Sequence, residues 1–222
     1  MTQQTLTRLR NLKLTGMADA VQQQLEHAST YEGLPFIERL SLLVEHEQLS
    51  REQRKQARLV KQARLKLQAT VQEVDYQSAR NLERSQVANL AQGEWLRRGQ
   101  NLLITGPCGC GKTYLACALG YQACQQGHST RYYRLPRLLL ELSQAKVDGS
   151  YARLLGQLAR IELLILDDWG LEAVNAEQRN ALLEIMDDRY GKYSTVVVSQ
   201  LPTEEWYASL GDNTLADAIL DR

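Results

Sequence analysis

The stretch Ile104 to Gly120, ITGPCGCGKTYLACALG, leaves a folding chain few choices. Gly106, Gly109 and Gly111 stand between an apolar run, NLLITG, and a helix-like run, with Lys112 and Thr113 directly after the last glycine. The spacing fits G-x-x-x-x-G-K-[ST] in the setting that motif needs, after a strand and at the start of a helix. Glycines let such a loop curl so that successive backbone N–H dipoles converge without Cβ clashes, and the helix adds its positive N-terminal end. That bed of donors suits a polyphosphate. Gly106, Pro107, Cys108, Gly109, Cys110, Gly111, Lys112, Thr113 and Tyr114 are therefore the expected ATP-binding residues, with Lys112 on the β and γ phosphates and the Thr113 hydroxyl on Mg²⁺. The plainer alternative is a glycine-rich turn with an incidentally placed lysine.

Nucleotide hydrolysis also needs a carboxylate across the metal and a group that orients water. The run LLILDDW, Leu163 to Trp169, is an apolar strand ending in two acids. Asp167 is expected to hold Mg²⁺ through water, and Asp168 to act as base for the attacking water. Read alone, the pair could equally be two solvated acids at a strand end. Gln200 follows TVVVS at another strand tip, where it could contact the γ-phosphate or the water.

From Asn101 onward short apolar runs alternate with helical segments. NLLITG, STRYYRL, ELLILDD and STVVVSQ read as strands, and 112 to 126, 136 to 146 and 176 to 190 as helices. Strands separated by helices require a parallel sheet covered on both faces, so 101–222 is expected to be an α/β domain. One full strand lies in sequence between the loop strand and the acidic strand, which suits small nucleotide kinases poorly. Residues 1–75 read as a small helical domain and 76–100 as a joint, with Trp95 its anchor; helical character continues to about Gln92, broken clearly only at Gly33-Leu34-Pro35. Leu9, Leu12, Leu14, Met17, Val21 and Leu25 have near-helical spacing and are expected to form the first domain's core.

Charge must be read locally, because 26 Lys+Arg cancel 26 Asp+Glu. Arg51, Arg54, Lys55, Arg58, Lys61 and Arg64 fall in one run that contains a single acid, Glu52. On a helix several of them line one side, which gives either a stripe able to follow a DNA backbone or an ordinary solvated face. Arg134, Arg137, Lys146 and Arg153 form a second candidate group. The chain has no apolar run of about 18 residues and no secretory core at its start, so the expected setting is cytoplasmic, without a membrane. Cys108, Cys110, Cys117 and Cys124 match no zinc or redox spacing and read as reduced thiols.

With these motifs placed, the chain resembles the IstB-type ATP-binding proteins of insertion sequences, and more distantly the DnaC-like helicase loaders, both of the AAA+ class. The segments that carry the resemblance are LRNLKLTGMADAV, GPCGCGKTYLACALG, LLILDDWGL, VVVSQLP and LADAILDR. The resemblance implies an AAA+ P-loop ATPase that assembles on double-stranded DNA as a homo-oligomer with ATP at subunit interfaces. It also implies a partner transposase encoded by the same element. It assigns Gln200 a sensor position and Arg222 the arginine finger that would enter a neighbour's site. The family continues past Arg222 through a strand and a lid helix, which this chain is expected to lack. The rival readings are a replicative helicase loader and an ATP-binding interaction fragment without hydrolysis.

Overall fold

The computed structural model describes residues 2–76, 82–206 and 217. The chain divides into two compact units, Met1–Arg58 and Leu59–Arg222.

In the first unit, α1 (Thr2–Asn11), α2 (Thr15–Glu26) and a single turn, α3 (Ala28–Tyr31), precede the long helix α4 (Phe36–Ala63), which continues past Arg58. Gly16, Ala20 and Gln24 recur every four residues and are buried, so α2 presents a row of small or polar side chains to α4. A Cβ at Gly16 would lie 2.7 Å from Ser50 Cβ and 2.9 Å from the His46 carbonyl oxygen. Glu47, on α4, accepts a hydrogen bond from Met17 N–H at 3.0 Å and one from Arg51 Nε at 2.6 Å. It thereby caps the start of α2 from outside that helix. This close approach corrects the expected core. Leu12 and Leu25 are 69% and 49% exposed, Leu9, Leu14, Met17 and Val21 are half-buried, and the buried apolar side chains among the described residues of this unit are Leu6, Ala18 and Ala20.

The second unit begins with the last turn of α4. Leu59 and Ala63 pack with Cys124. The helix then stops, with Arg64 at φ 50°, rather than continuing to Gln92. Residues 64–76 run without α-helix, with one 3-10 turn at Val71–Glu73, and Leu65, Ala69 and Val71 are used as packing groups against the sheet layer. For this reason the division falls ahead of the joint expected at 76–100.

Next come α5 (Arg84–Ala91), α6 (Glu94–Arg97), β1 (Leu102–Thr105), α7 (Lys112–Gln125) and β2 (Thr130–Arg134). They are followed by α8 (Leu135–Val147), α9 (Tyr151–Leu158), β3 (Leu163–Trp169), α10 (Ala176–Arg189) and β4 (Ser194–Ser199). The helix α9 was not set apart in the sequence. All strand pairings are parallel, in the order β1-β4-β3-β2. Alternate residues of β3 and β4 serve the two faces. Leu163, Ile165, Val196 and Val198 meet Ala116 and Ala118 of α7, while Leu164, Leu166 and Val197 meet Leu138, Leu142, Leu182 and Ile185 of α8 and α10. Burial on both faces explains why β3 and β4 are continuous apolar runs. Trp95 donates from Nε1 to the Leu90 carbonyl at 2.9 Å and packs on the α7 side. At α10, Asn175 and Gln178 form a reciprocal capping box.

Candidate functional site

Because β4 lies between β1 and β3, three strand ends converge at one edge of the sheet: the loop after β1, the acids ending β3, and Gln200 after β4. Crevices at the carboxyl ends of parallel strands are where open α/β sheets bind ligands.

The loop has the curled backbone that its glycines foretold, with φ 147° at Gly106, 80° at Gly109 and 92° at Gly111, which caps α7. Lys112 Nζ donates to the carbonyl oxygens of Gly106 and Pro107, each at 2.7 Å, and lies 3.8 Å from Cys110 Sγ. The ammonium is thus folded back over the loop and held by neutral acceptors that an anionic phosphate oxygen would outcompete. Thr113 donates from Oγ1 to Asp167 Oδ2 at 2.8 Å, across 54 residues of chain. This contact joins the two halves of the site.

Asp167 is 2% exposed. Its Oδ2 also accepts from the Tyr132 hydroxyl at 2.6 Å, and its Oδ1 accepts from Asp168 N–H at 2.9 Å. Burial, then the hydrogen bond and charge of Asp167, push the Tyr132 phenol far up, so it stays a donor. A threonine hydroxyl and a buried carboxylate are hard oxygen donors of the kind Mg²⁺ selects. Among the described residues no group of three or more His, Cys, Asp or Glu could cage a metal. The pair therefore fits an ion completed by phosphate oxygens and water.

Asp168 sits at φ 63°, in the left-handed region, where β3 and β4 shift register between Leu166 and Trp169. Such backbone strain at a functional edge is held by its surroundings, here by the Arg134 Nε contact to Asp168 Oδ2. The hydrogen bond to Asp168, then its charge, raises the Arg134 pKa. Arg134, grouped with surface cations in the sequence, is paired with Asp168.

Two adjoining cavities flank Lys112. One, about 320 Å³, is lined by Cys108, Thr113, Asp167, Asp168 and Gln200, together with Lys66 and Leu67. The other, about 400 Å³, runs from Gly109, Cys110 and Gly111 past Tyr114 to Val74, Leu82, Ile104 and Leu115, with Glu73 and Asp75 at its wall. Tyr114 donates to Glu73 at 3.4 Å. Lys66, Leu67, Glu73, Val74, Asp75 and Leu82 come from the segment before the domain that sequence reading placed at 101. The apolar Val71 and Val74 there were a signal, hidden because the run lacks the glycine and proline that mark a helix end.

Arg51, Arg54, Lys55, Arg58 and Lys61 lie on α4, with Arg64 just past its end, whereas Arg137 and Lys146 lie on α8. Arg51 and Arg54 both lie against Glu47, at 2.6 and 3.6 Å, and are exposed, as are Lys55, Arg58, Lys61 and Arg64. Lys146 is engaged by Glu177 at 3.0 Å and by the Tyr151 ring at 4.8 Å, and Arg137 is exposed on α8 beside Glu141. Arg222 lies outside the described residues. All four cysteines are free; Cys117 and Cys124 are buried on α7 as small apolar groups, and burial pushes both thiols up.

Residues 7–222 match the family model described as IstB-like ATP binding protein. A protein of Sinorhizobium fredii described as an insertion sequence ATP-binding protein is 47% identical over 218 residues, covering 98% of this chain and 89% of the relative. An ATP-binding protein of insertion sequence IS1162 from Pseudomonas fluorescens is 48% identical over 204 residues, covering 91% and 88%. Among solved structures, the DnaC helicase loader superposes with a TM-score of 0.61 at 20% identity, over 69% of this chain and 92% of that one. DnaA of Aquifex aeolicus bound to AMPPCP does so with a TM-score of 0.60 at 18% identity, over 71% and 49%. At those identities the solved structures show a shared fold alone, and the relatives of 47% and 48% identity show the family. The chain belongs to the family of IstB-like ATP-binding proteins.

Proposed function

We propose that the chain binds ATP with Mg²⁺ and hydrolyses it, and that the nucleotide-bound form assembles on double-stranded DNA to assist the transposase of its own insertion sequence. The observation that carries the nucleotide part is the Thr113–Asp167 hydrogen bond of 2.8 Å beside Lys112, whose ammonium lies on the Gly106 carbonyl at 2.7 Å. In this reading the triphosphate lies over the loop from Gly106 to Thr113, with the base toward Val74, Leu82 and Leu115 and the γ-phosphate toward Asp168 and Gln200. Bound Mg²⁺ would be held by Thr113 and Asp167 and would neutralise charge on the β and γ phosphates. Asp168 would take the proton of the attacking water once its carboxylate is free of Arg134. The transposition role rests on the relatives, which bear the names of insertion sequences. Exposed Lys55, Arg58, Lys61 and Arg64 supply cations for a phosphate backbone, which would give affinity with little sequence choice.

The test is binding to labelled duplex and single-stranded DNA of equal length, with and without ATP and Mg²⁺, at two salt concentrations. Preference for duplex that requires ATP is expected, weakening with salt by about 0.9 power of concentration per phosphate contacted. Preference for single strands would instead support a helicase-loader role, the function named for the DnaC structure.

A further inference from the structure

The phosphate loop carries two thiols with one glycine between them, Cys108-Gly109-Cys110, and neither is needed for cradling phosphate, which backbone N–H groups perform. Cys108 is exposed and Cys110 is partly exposed. Gly109 sits at φ 80°, at the centre of a turn, and a Cβ built there would meet nothing within 4 Å. A turn at the middle residue of three puts the outer Cα atoms about 5 to 6 Å apart, inside the range that a disulfide spans, and since Cys108 and Cys110 line different cavities beside Lys112, joining them requires the loop backbone to turn. The Cys110 sulfur faces the inside of the loop, 3.2 Å from where a Gly106 Cβ would stand and 3.8 Å from Lys112 Nζ. The other two cysteines, Cys117 and Cys124, have no exposed surface.

The geometry points to Cys108 and Cys110 as a reversible dithiol–disulfide site that closes the phosphate loop to nucleotide when oxidised by a low-molecular-weight disulfide. The proposal rests on the loop being the nucleotide site. The exposed Cys108 thiolate attacks one sulfur of the disulfide RSSR, forming a mixed disulfide and releasing RS⁻. The Cys110 thiolate then attacks Cys108 Sγ, forming the Cys108–Cys110 bond and releasing the second RS⁻. The two thiol protons pass to the departing sulfurs. In sum, two cysteine thiols are oxidised to one disulfide and RSSR is reduced to two RSH.

The small ring that results fixes the backbone of Gly109, between the two residues whose N–H groups must turn toward phosphate. It also commits the Cys110 sulfur to a covalent position beside the Lys112 ammonium. Bound triphosphate and the ring compete for one stretch of backbone, so nucleotide protects the thiols by the same factor by which oxidation weakens nucleotide binding. A bridge this exposed belongs to the labile class, which reducing thiols open again.

The experiment uses the whole chain, first fully reduced, with affinity for a fluorescent ATP analogue measured in Mg²⁺. The protein is then treated with oxidised glutathione, mapped by peptide mass, titrated with the analogue again, and finally reduced with dithiothreitol. The expected product is lighter by two hydrogens, with Cys108 joined to Cys110 and Cys117 and Cys124 still thiols. Its affinity for the analogue falls at least about tenfold and returns on reduction, and excess ATP with Mg²⁺ slows the oxidation. Cys108→Ser cannot close the ring and is expected to show no loss of two hydrogens. A joined Cys108–Cys110 pair that binds the analogue with undiminished affinity would overturn the proposal. So would a pair that stays as thiols or mixed disulfides throughout. Reduced protein that fails to bind the analogue would remove the nucleotide-site reading as well, and is recognised before any oxidant is added.

Discussion

Two hydroxyls, from Thr113 and Tyr132, converge on Asp167 Oδ2, and each comes from a different element, α7 and β2. The carboxylate is thereby oriented before any ligand arrives, which is what a metal-holding group requires. Asp168 is differently placed, with its carboxylate occupied by Arg134 at the strand edge. If Asp168 is the base, the two changes should move turnover in opposite directions. Asp168→Asn is expected to keep ATP affinity while lowering the hydrolysis rate by about 10² to 10⁴. Arg134→Ala is expected to raise basal hydrolysis several-fold by freeing that carboxylate. A steady-state phosphate-release assay reads both; equal rates for Asp168→Asn and wild type would remove Asp168 from the role. At this scale the sequence was informative where chemistry is local. The spacing from Gly106 to Thr113 and the adjacent acids after an apolar strand picked out residues that the fold brings together. Arg134 and Tyr132 were not legible as partners, because their roles arise from the pairing of β2 with β3, where Arg134 stands beside Asp167.

The strands and the helices between them were readable because burial on both faces writes continuous apolar runs into β3 and β4. The end of α4 was not. Residues 64–76 keep helix-forming composition, yet α4 ends at Ala63 and Leu65, Ala69 and Val71 pack against the sheet layer of their own unit. In the first unit the heavier apolar residues of α2 misled, since Gly16 makes the close contact with α4. Gly16→Ala forces a Cβ against the His46 carbonyl and the α4 backbone, which have little freedom to yield. It is expected to destabilise the first unit by about 1 to 3 kcal/mol, measured by urea unfolding. An unchanged midpoint would show that the helices part without cost.

Glu47 makes the same contact sensitive to acid. Burial pushes its carboxyl up, but hydrogen bonds from Arg51 and Met17 outweigh this and hold it below the ordinary 4.5. A carboxyl whose folded pKa is depressed contributes stability that is fully present above the unfolded value and is lost as pH falls through the folded one. Glu47→Gln should therefore lower stability by about 1 kcal/mol at pH 7 and flatten the loss of stability below pH 4.5. Urea midpoints followed from pH 7 to 3 would show it; parallel curves for variant and wild type would exclude Glu47 as the source.

For the molecule as a whole, the sheet order β1-β4-β3-β2 does the decisive work, since it sets the loop, the acids and Gln200 side by side. The second unit also recruits chain from before its sheet, through Lys66, Leu67, Glu73 and Val74, to wall the two cavities. The central claim is that Lys112, Thr113 and Asp167 together form a Mg²⁺-dependent ATP site. Calorimetric titration of ATP into wild type, Lys112→Ala and Asp167→Asn, each with Mg²⁺ and with a chelator, tests it most directly. The account predicts wild-type binding that tightens with Mg²⁺, loss of that tightening in Asp167→Asn, and binding weakened at least about 100-fold in Lys112→Ala. Titrations of Lys112→Ala and wild type that coincide, with and without Mg²⁺, would contradict it.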